Sequence, residues 1–148
     1  NTAGTQAFAF LQSFSLNIGQ VMFQGGAVLT GLFFLLGILV NSRVNAVYTV
    51  LGALLPIPVA LLAGVESAVL NAGLMGYNGV LCAIALGDKT WSGGVYAVFS
   101  VLLSVFLQLL GMDVGITTLT APFVFSVWIT VGIRYMLLTL FPAKRKVA

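Results

Sequence analysis

Long apolar runs separated by isolated charges are the main pattern along this chain. Four such runs follow one another and extend over residues 44–65, 67–87, 90–112 and 114–133. Each is about 20 residues long, and a helix of that length crosses the roughly 30 Å hydrocarbon core of a membrane. The charged residues therefore indicate where membrane-spanning helices end.

The N-terminal part of the chain has a different pattern. Residues 8–23 are largely apolar but carry five polar side chains: Gln12, Ser13, Ser15, Asn17 and Gln20. This segment is too polar for lipid exposure and too apolar for water, which predicts a re-entrant half-helix over about residues 6–24. A turn at Gly25 and Gly26 precedes an almost purely apolar stretch that supplies the first full span.

Together these patterns predict an all-α polytopic membrane protein with one domain, residues 1–148. We expect a re-entrant half-helix and five spans over about residues 27–41, 44–64, 68–87, 91–111 and 117–141. Pro56, Pro58 and Pro122 indicate interrupted helices, because proline cannot donate a backbone hydrogen bond. Inside a membrane the carbonyls freed in this way must face protein or a cavity.

Composition supports a membrane protein and excludes most other classes. Hydrophobic residues make up 60% of the chain and charged residues 6%, and the mean hydropathy is +1.14. A soluble domain carries about 25% charged residues, so this chain lacks the polar surface that it would need in water. The net charge of +3 does not predict nucleic-acid binding, because the basic residues lie at the ends of apolar runs.

Candidate chemistry is sparse. The chain has no histidine, and Cys82 is its single cysteine, which leaves no set of residues suited to metal binding or acid–base catalysis. We therefore expect neither an enzyme nor a cofactor.

The distribution of basic residues predicts the orientation. If the spans alternate, all six lysines and arginines fall on one side: Arg43, Lys89, Arg134, Lys144, Arg145 and Lys146. Glu66 and Asp113 fall on the other side. The positive-inside rule then places the C-terminus in the cytoplasm and the N-terminus outside, in a plasma or bacterial inner membrane.

Three local patterns together resemble the urea transporter family. They are Ile18-Gly19-Gln20-Val21-Met22-Phe23, then Gly73-Leu74-Met75-Gly76-Tyr77-Asn78-Gly79-Val80-Leu81, and finally Thr120-Ala121-Pro122-Phe123. Each is weak alone, but their order and spacing make the resemblance more specific. After the first pattern this chain departs from the family, with Gln24-Gly25-Gly26 where the family usually has a turn containing asparagine. The resemblance implies passive, channel-like transport of urea, a small planar molecule with four N–H donors and one carbonyl acceptor.

The resemblance also implies which residues line the pore. Gln20 on the re-entrant helix would begin a series of acceptors for the urea N–H groups, and Phe23 would supply an aromatic wall. The alternative for Gln20 is a hydrogen bond between helices, and the alternative for Phe23 is a place in the core.

In the second pattern, Tyr77 and Leu81 lie four residues apart and share a helical face. In the family the matching residues line a narrow slot that admits a flat molecule, and phenylalanine is more usual at the position of Tyr77. An ordinary packing pair is the alternative. In the third pattern, Thr120 would stand at the central constriction, beside a half-helix that begins at Pro122. The alternative there is an ordinary helix N-cap.

Other functions stay open at this point. A pore for ammonia, water or another small amide is one alternative, and a non-conducting membrane assembly subunit is another. Glu66 and Asp113 lie near predicted span ends. Intramembrane carboxylates often mark ion relays, so their absence from the middle of a span favours passive conduction.

The resemblance finally implies the assembly. The family has two inverted halves with the pore between them, and this chain resembles the C-terminal half. We expect it to pair with an inverted half from the same longer chain, and the lack of an initiator methionine agrees. A second copy in the opposite orientation would need a balanced distribution of lysine and arginine. Complete transporters are expected to form homotrimers with one pore in each subunit.

Overall fold

The computed structural model describes residues 8–141, which are helical and contain no strand. Eight α-helices and one 3-10 turn, Gln20–Met22, follow one another in this part of the chain. The helices are α1 (Phe10–Gly19), α2 (Val28–Asn41), α3 (Arg43–Leu54), α4 (Pro56–Leu62), α5 (Ser67–Asn71), α6 (Tyr77–Leu86), α7 (Trp91–Asp113) and α8 (Ala121–Leu140).

Within residues 8–141, three segments are long and apolar enough to cross a membrane: α3 with α4, α7, and α8. They correspond to the spans predicted over residues 44–64, 91–111 and 117–141, although α8 begins only at Ala121. The all-α membrane fold predicted from the sequence is confirmed.

The two other predicted spans look different in the structure. Helix α2 has 14 residues, a length of about 21 Å, which is shorter than a typical hydrocarbon core. The stretch predicted as one span over residues 68–87 consists of α5 and α6 with a turn at residues 72–76 between them. The number of spans and the re-entrant course of residues 6–24 stay predictions, and residues 6 and 7 lie outside the described range.

A glycine ends α5. Gly73 has φ +73°, its N–H donates to the Leu70 carbonyl, and the Leu74 N–H donates to the Val69 carbonyl. These two bonds form a Schellman motif, which requires the left-handed conformation that glycine adopts most readily. The helix therefore stops inside an apolar run, where hydropathy alone predicts continuation.

The prolines act in two ways. Pro56 separates α3 from α4, although Leu55 between them keeps helical angles. Because Pro56 has no N–H, the carbonyl of Gly52 loses its donor within the helix. That carbonyl lies against Gly79 of α6, where an added Cβ would approach it to 2.8 Å. Pro122 instead lies in the first turn of α8, where the missing N–H costs nothing.

Helix α6 lies at the centre of the fold and packs against α1, α3, α7 and α8. Its residues Val80, Cys82 and Ala83 are fully buried. By contrast, α8 has few buried side chains, namely Pro122, Ser126 and Thr130. The outer helices therefore present broad apolar surfaces, as expected of a protein surrounded by lipid or by other membrane helices.

The described basic residues lie near one end of the bundle. Tyr48 follows Arg43 by five residues on α3, and its hydroxyl donates to the Asp88 carbonyl over 2.8 Å. The Arg134 guanidinium lies 5.4 Å from the centre of the Tyr96 ring on α7. Lys89, next to Asp88 in sequence, belongs to the same end. The basic residues 144–146 lie outside the described range.

Asp88 stabilises the loop between α6 and α7 through hydrogen bonds to Thr90. Its carboxylate accepts the Thr90 hydroxyl and the Thr90 N–H, and Thr90 in turn caps α7 by accepting the Gly93 N–H over 3.0 Å. The hydrogen bonds from Thr90 lower the pKa of the Asp88 carboxyl, and Arg134 lowers it further.

Candidate functional site

The break between α5 and α6 lies near the middle of the bundle. Helix α6 has 10 residues and rises about 15 Å, which is half of a typical hydrocarbon core. It ends at Leu86, just before Asp88 at the basic end. Its first residue, Tyr77, therefore lies about 15 Å from the basic end, and the backbone turn at residues 72–76 directly precedes it. Irregular backbone at this depth is tolerated where it faces protein or a cavity.

Gln20 lies against this break. Its side-chain Nε2 donates to the Ala72 carbonyl over 3.0 Å, so the side chain makes the hydrogen bond between elements that was one sequence interpretation. Within residues 8–141 its Oε1 has no hydrogen-bond partner. Gly25 packs on the same amide, because an added Cβ would lie 2.4 Å from Nε2. The amide is thus held on two sides, and its oxygen stays available as an acceptor.

Tyr77 and Asn78 at the start of α6 hold the chain segment that leads into α8. The Tyr77 hydroxyl and the Asn78 Nδ2 both donate to the carbonyl of Leu119. The Asn78 Oδ1 accepts the N–H of Phe123 over 3.3 Å. The N-terminal ends of α6 and α8 therefore meet near the middle of the bundle.

Thr120 lies between the two points that Asn78 holds. It occupies the N-cap position of α8, but its side chain makes no capping hydrogen bond. Its backbone carbonyl accepts the Val124 N–H over 3.2 Å. Among the described residues the half-buried Thr120 hydroxyl has no partner, so it is free to donate to and accept from a ligand.

The remaining two candidates lie further from these contacts. Phe23 follows the 3-10 turn with φ 56°, and its side chain is 73% exposed. Leu81 is half-buried, one turn beyond Tyr77 on α6. Phe23 is therefore no part of the core of the described chain.

The Tyr77 side chain also lines a cavity, in addition to its hydrogen bond with Leu119. Its side chain is 7% exposed and helps line a cavity of about 250 Å³ together with Gln108, Thr118 and Leu119. The Thr118 hydroxyl donates to the Gln108 Oε1. The Tyr77 hydroxyl is thus already paired, and the ring is the part of this side chain that can serve as a wall.

The sequence interpretation did not assign a role in the site to two buried asparagines. Asn78 makes two hydrogen bonds to the segment that leads into α8, one to Leu119 and one to Phe123. Asn17 is 1% exposed, and its Nδ2 donates to the Ala53 carbonyl over 2.9 Å. In the sequence, both asparagines could have been recognised as polar amide side chains within otherwise apolar helical segments. In residues 8–141 no group of three histidine, cysteine, aspartate or glutamate side chains could hold a metal ion.

Comparison with known proteins gives the family. No curated protein sequence matches the chain, whereas the sequence model described as urea transporter matches residues 1–135. This match includes all three motifs and each of the five candidate residues. The chain therefore belongs to the urea transporter family.

Proposed function

We propose that this chain forms one half of a passive urea pore whose path passes the break between α5 and α6. One observation carries the proposal. The Gln20 amide and the segment around Thr120 are each fixed by hydrogen bonds to other parts of the chain. The Gln20 Oε1 and the Thr120 hydroxyl are left unpaired among the described residues.

The chemistry of urea matches such acceptors. In a narrow passage each unpaired N–H group costs about 1 to 3 kcal/mol, so a pore must replace the lost water with fixed oxygens. Gln20 supplies one oxygen beside Ala72, where the break begins, and Thr120 supplies another in the segment that Asn78 holds at the start of α6. The Gln20 amide nitrogen and the backbone on both sides of Thr120 already have hydrogen-bond partners. Neither side chain must therefore rearrange when urea binds.

The charges favour a neutral solute and a passive mechanism. The N-terminal ends of α6 and α8 carry partial positive charge, which disfavours cations where the two helices meet. The three carboxylates of the chain lie at helix ends or in connections: Glu66, Asp88 and Asp113. In the described chain none of them takes part in the hydrogen bonds that Tyr77 and Asn78 make to the segment before α8, which favours passive movement of urea over coupling to protons.

The direct test is stopped-flow urea flux in liposomes that contain the assembled transporter. We expect rapid urea equilibration and no electrical conductance. If the transporter conducts water or ammonia but not urea, urea is not its solute and the alternative pore is supported. Absence of any flux in a correctly assembled transporter would instead indicate a non-conducting assembly subunit.

Phe23→Ala is expected to loosen size selection more than it lowers urea throughput. The ring is largely exposed in the chain, so its truncation removes a wall without opening a cavity in the core. The measurement is the flux of urea compared with that of bulkier amides such as methylurea and dimethylurea. Phe33→Ala on α2, with a side chain that is 69% exposed, is the matched control and should leave selection unchanged. Continued exclusion of bulkier amides by the Phe23 variant would remove this residue from the pore.

Closure of the pore requires a second half. Gln20 and Thr120 are half-buried and Phe23 is exposed, so these side chains are not enclosed by their own chain. In the proposed assembly an inverted half, part of the same longer protein or another copy, covers them across a pseudo-two-fold axis. Three complete pores then associate as a homotrimer.

The orientation is tested with single cysteines at the two ends of the bundle. Asn41 precedes the basic residue Arg43 and is exposed, and Val114 at the other end is 71% exposed. In a Cys82→Ala background, we expect a membrane-impermeant reagent to label position 41 from the cytoplasm and position 114 from outside. Labelling of both positions from both faces would support a homodimer of oppositely inserted copies.

A further inference from the structure

The strongest feature that the proposed pore does not yet use is the side chain of Asn78. It is 2% exposed, and both ends of its amide are engaged. Its Nδ2 donates to the Leu119 carbonyl over 3.0 Å, and its Oδ1 accepts the Phe123 N–H over 3.3 Å. Asn78 thus bridges the residue before Thr120 and the first turn of the helix after it.

The bridged segment has little support of its own. Leu119 has φ 46°, a left-handed conformation that costs free energy in a residue with a side chain. Pro122 has no N–H, and the Thr120 side chain provides no capping bond. The Phe123 N–H, which an N-cap side chain often satisfies, is bound by the Asn78 Oδ1 instead.

We propose that Asn78 is a positioning residue that fixes the Thr120 hydroxyl in the urea path, an inference that rests on the proposed function. The bridge also occupies the Leu119 carbonyl, which accepts from both Tyr77 and Asn78. With this neighbouring acceptor occupied, the Thr120 hydroxyl is the group that the segment offers to urea. Asn78 acts on transport through Thr120 and makes no contact with the solute.

A double-mutant cycle tests this role, with flux normalised to assembled transporter. Asn78→Leu keeps the number and branching of the side-chain heavy atoms and removes both hydrogen bonds. We expect it to slow urea flux about tenfold in the wild-type background and less than twofold in the Thr120→Val background, because residues that act through one group are not additive. An equal loss in both backgrounds would show a general structural role and overturn the proposal.

Asn17→Leu is the matched control within the cycle. It also removes a buried asparagine, whose single described hydrogen bond goes to Ala53, and its effect should be the same in both backgrounds. Equal non-additivity for Asn17→Leu would show that the whole break loosens, which also overturns the positioning role. If the single variant Thr120→Val leaves urea flux unchanged, the proposed function fails. If Thr120→Val slows flux but the effects of Asn78→Leu and Thr120→Val are additive, only the positioning role fails.

Asn78→Asp gives a second measurement that does not depend on the cycle. A buried carboxylic acid resists ionisation, and its neutral form can donate to Leu119 and accept from Phe123 as the amide does. We expect this variant to conduct urea faster at about pH 5 than at about pH 8, where ionisation removes the donor. Wild-type flux should be the same at both pH values. If urea flux through the aspartate variant does not depend on pH, the bridge is contradicted. This test remains valid even if Asn78→Leu fails to assemble.

Discussion

Thr120→Val is expected to slow urea flux about 5- to 150-fold without preventing assembly. The substitution keeps the shape of the side chain and removes the hydroxyl. One urea N–H then passes the constriction unpaired, at about 1 to 3 kcal/mol. Because the hydroxyl has no partner in the described chain, its removal breaks no bond that holds the fold.

Thr130→Val is the control for this prediction. Thr130 lies on the same helix, is buried, and donates its hydroxyl to the Ser126 carbonyl within α8 over 2.7 Å. The same chemical change there should leave urea flux within about twofold of wild type, because this hydroxyl is already paired within its own helix. Stopped-flow measurements on variants with matched amounts of assembled protein make the comparison. Wild-type flux in an assembled Thr120→Val transporter would refute the proposed site.

Gly73→Ala is expected to destabilise the transporter by about 2 to 5 kcal/mol, because two costs add. The first is the left-handed backbone conformation at φ +73°. The second is a clash, since the new Cβ would lie 2.3 Å from the carbonyl carbon of Leu16 and 2.6 Å from the Asn17 N. These backbone atoms belong to α1, so they cannot move unless the helix that carries Gln20 towards the break moves too. Thermal unfolding in detergent and the yield of assembled protein measure the effect.

Gly64→Ala separates the two costs. Gly64 ends α4 with the same pair of hydrogen bonds that Gly73 makes after α5, and its φ is +74°. No atom lies within 4 Å of an added Cβ at Gly64. Its substitution should therefore cost about 1 kcal/mol, from the backbone conformation alone. Equal losses for the two variants would show that the close packing of the break on α1 is not needed.

The class of the protein and its family follow from the sequence with little help from the structure. Apolar runs of spanning length and scarce charges leave lipid as the surrounding solvent, whatever the detailed fold. The three motifs give the family because their residue types and spacing are visible in the chain itself. The start of α8 is also a local matter, since Pro122 fits the first turn of a helix and is poorly tolerated in the interior.

The arrangement of the candidate site depends on tertiary contacts. Local pattern predicts one span over residues 68–87, and the structure has two helices there. The apolar run is continuous, whereas the break depends on Gly73 and on the packing of Gly76 against Asn17. The sequence also leaves the Tyr77 hydroxyl without an assigned partner, and the structure pairs it with Leu119. Hydropathy measures the preference of a segment for lipid and contains no information about which distant backbone groups it meets.

What the sequence determined by itself is therefore the solvent, the family and the residue types that could line a pore. Only the tertiary structure decided that Gln20 is held by Ala72, and that Asn78 holds the segment on both sides of Thr120. These bonds join residues that are 41 to 52 positions apart. The physical reason is that a side-chain amide in an apolar helix must be paired, but its partner is chosen by which backbone carbonyls and N–H groups the packed helices bring within reach.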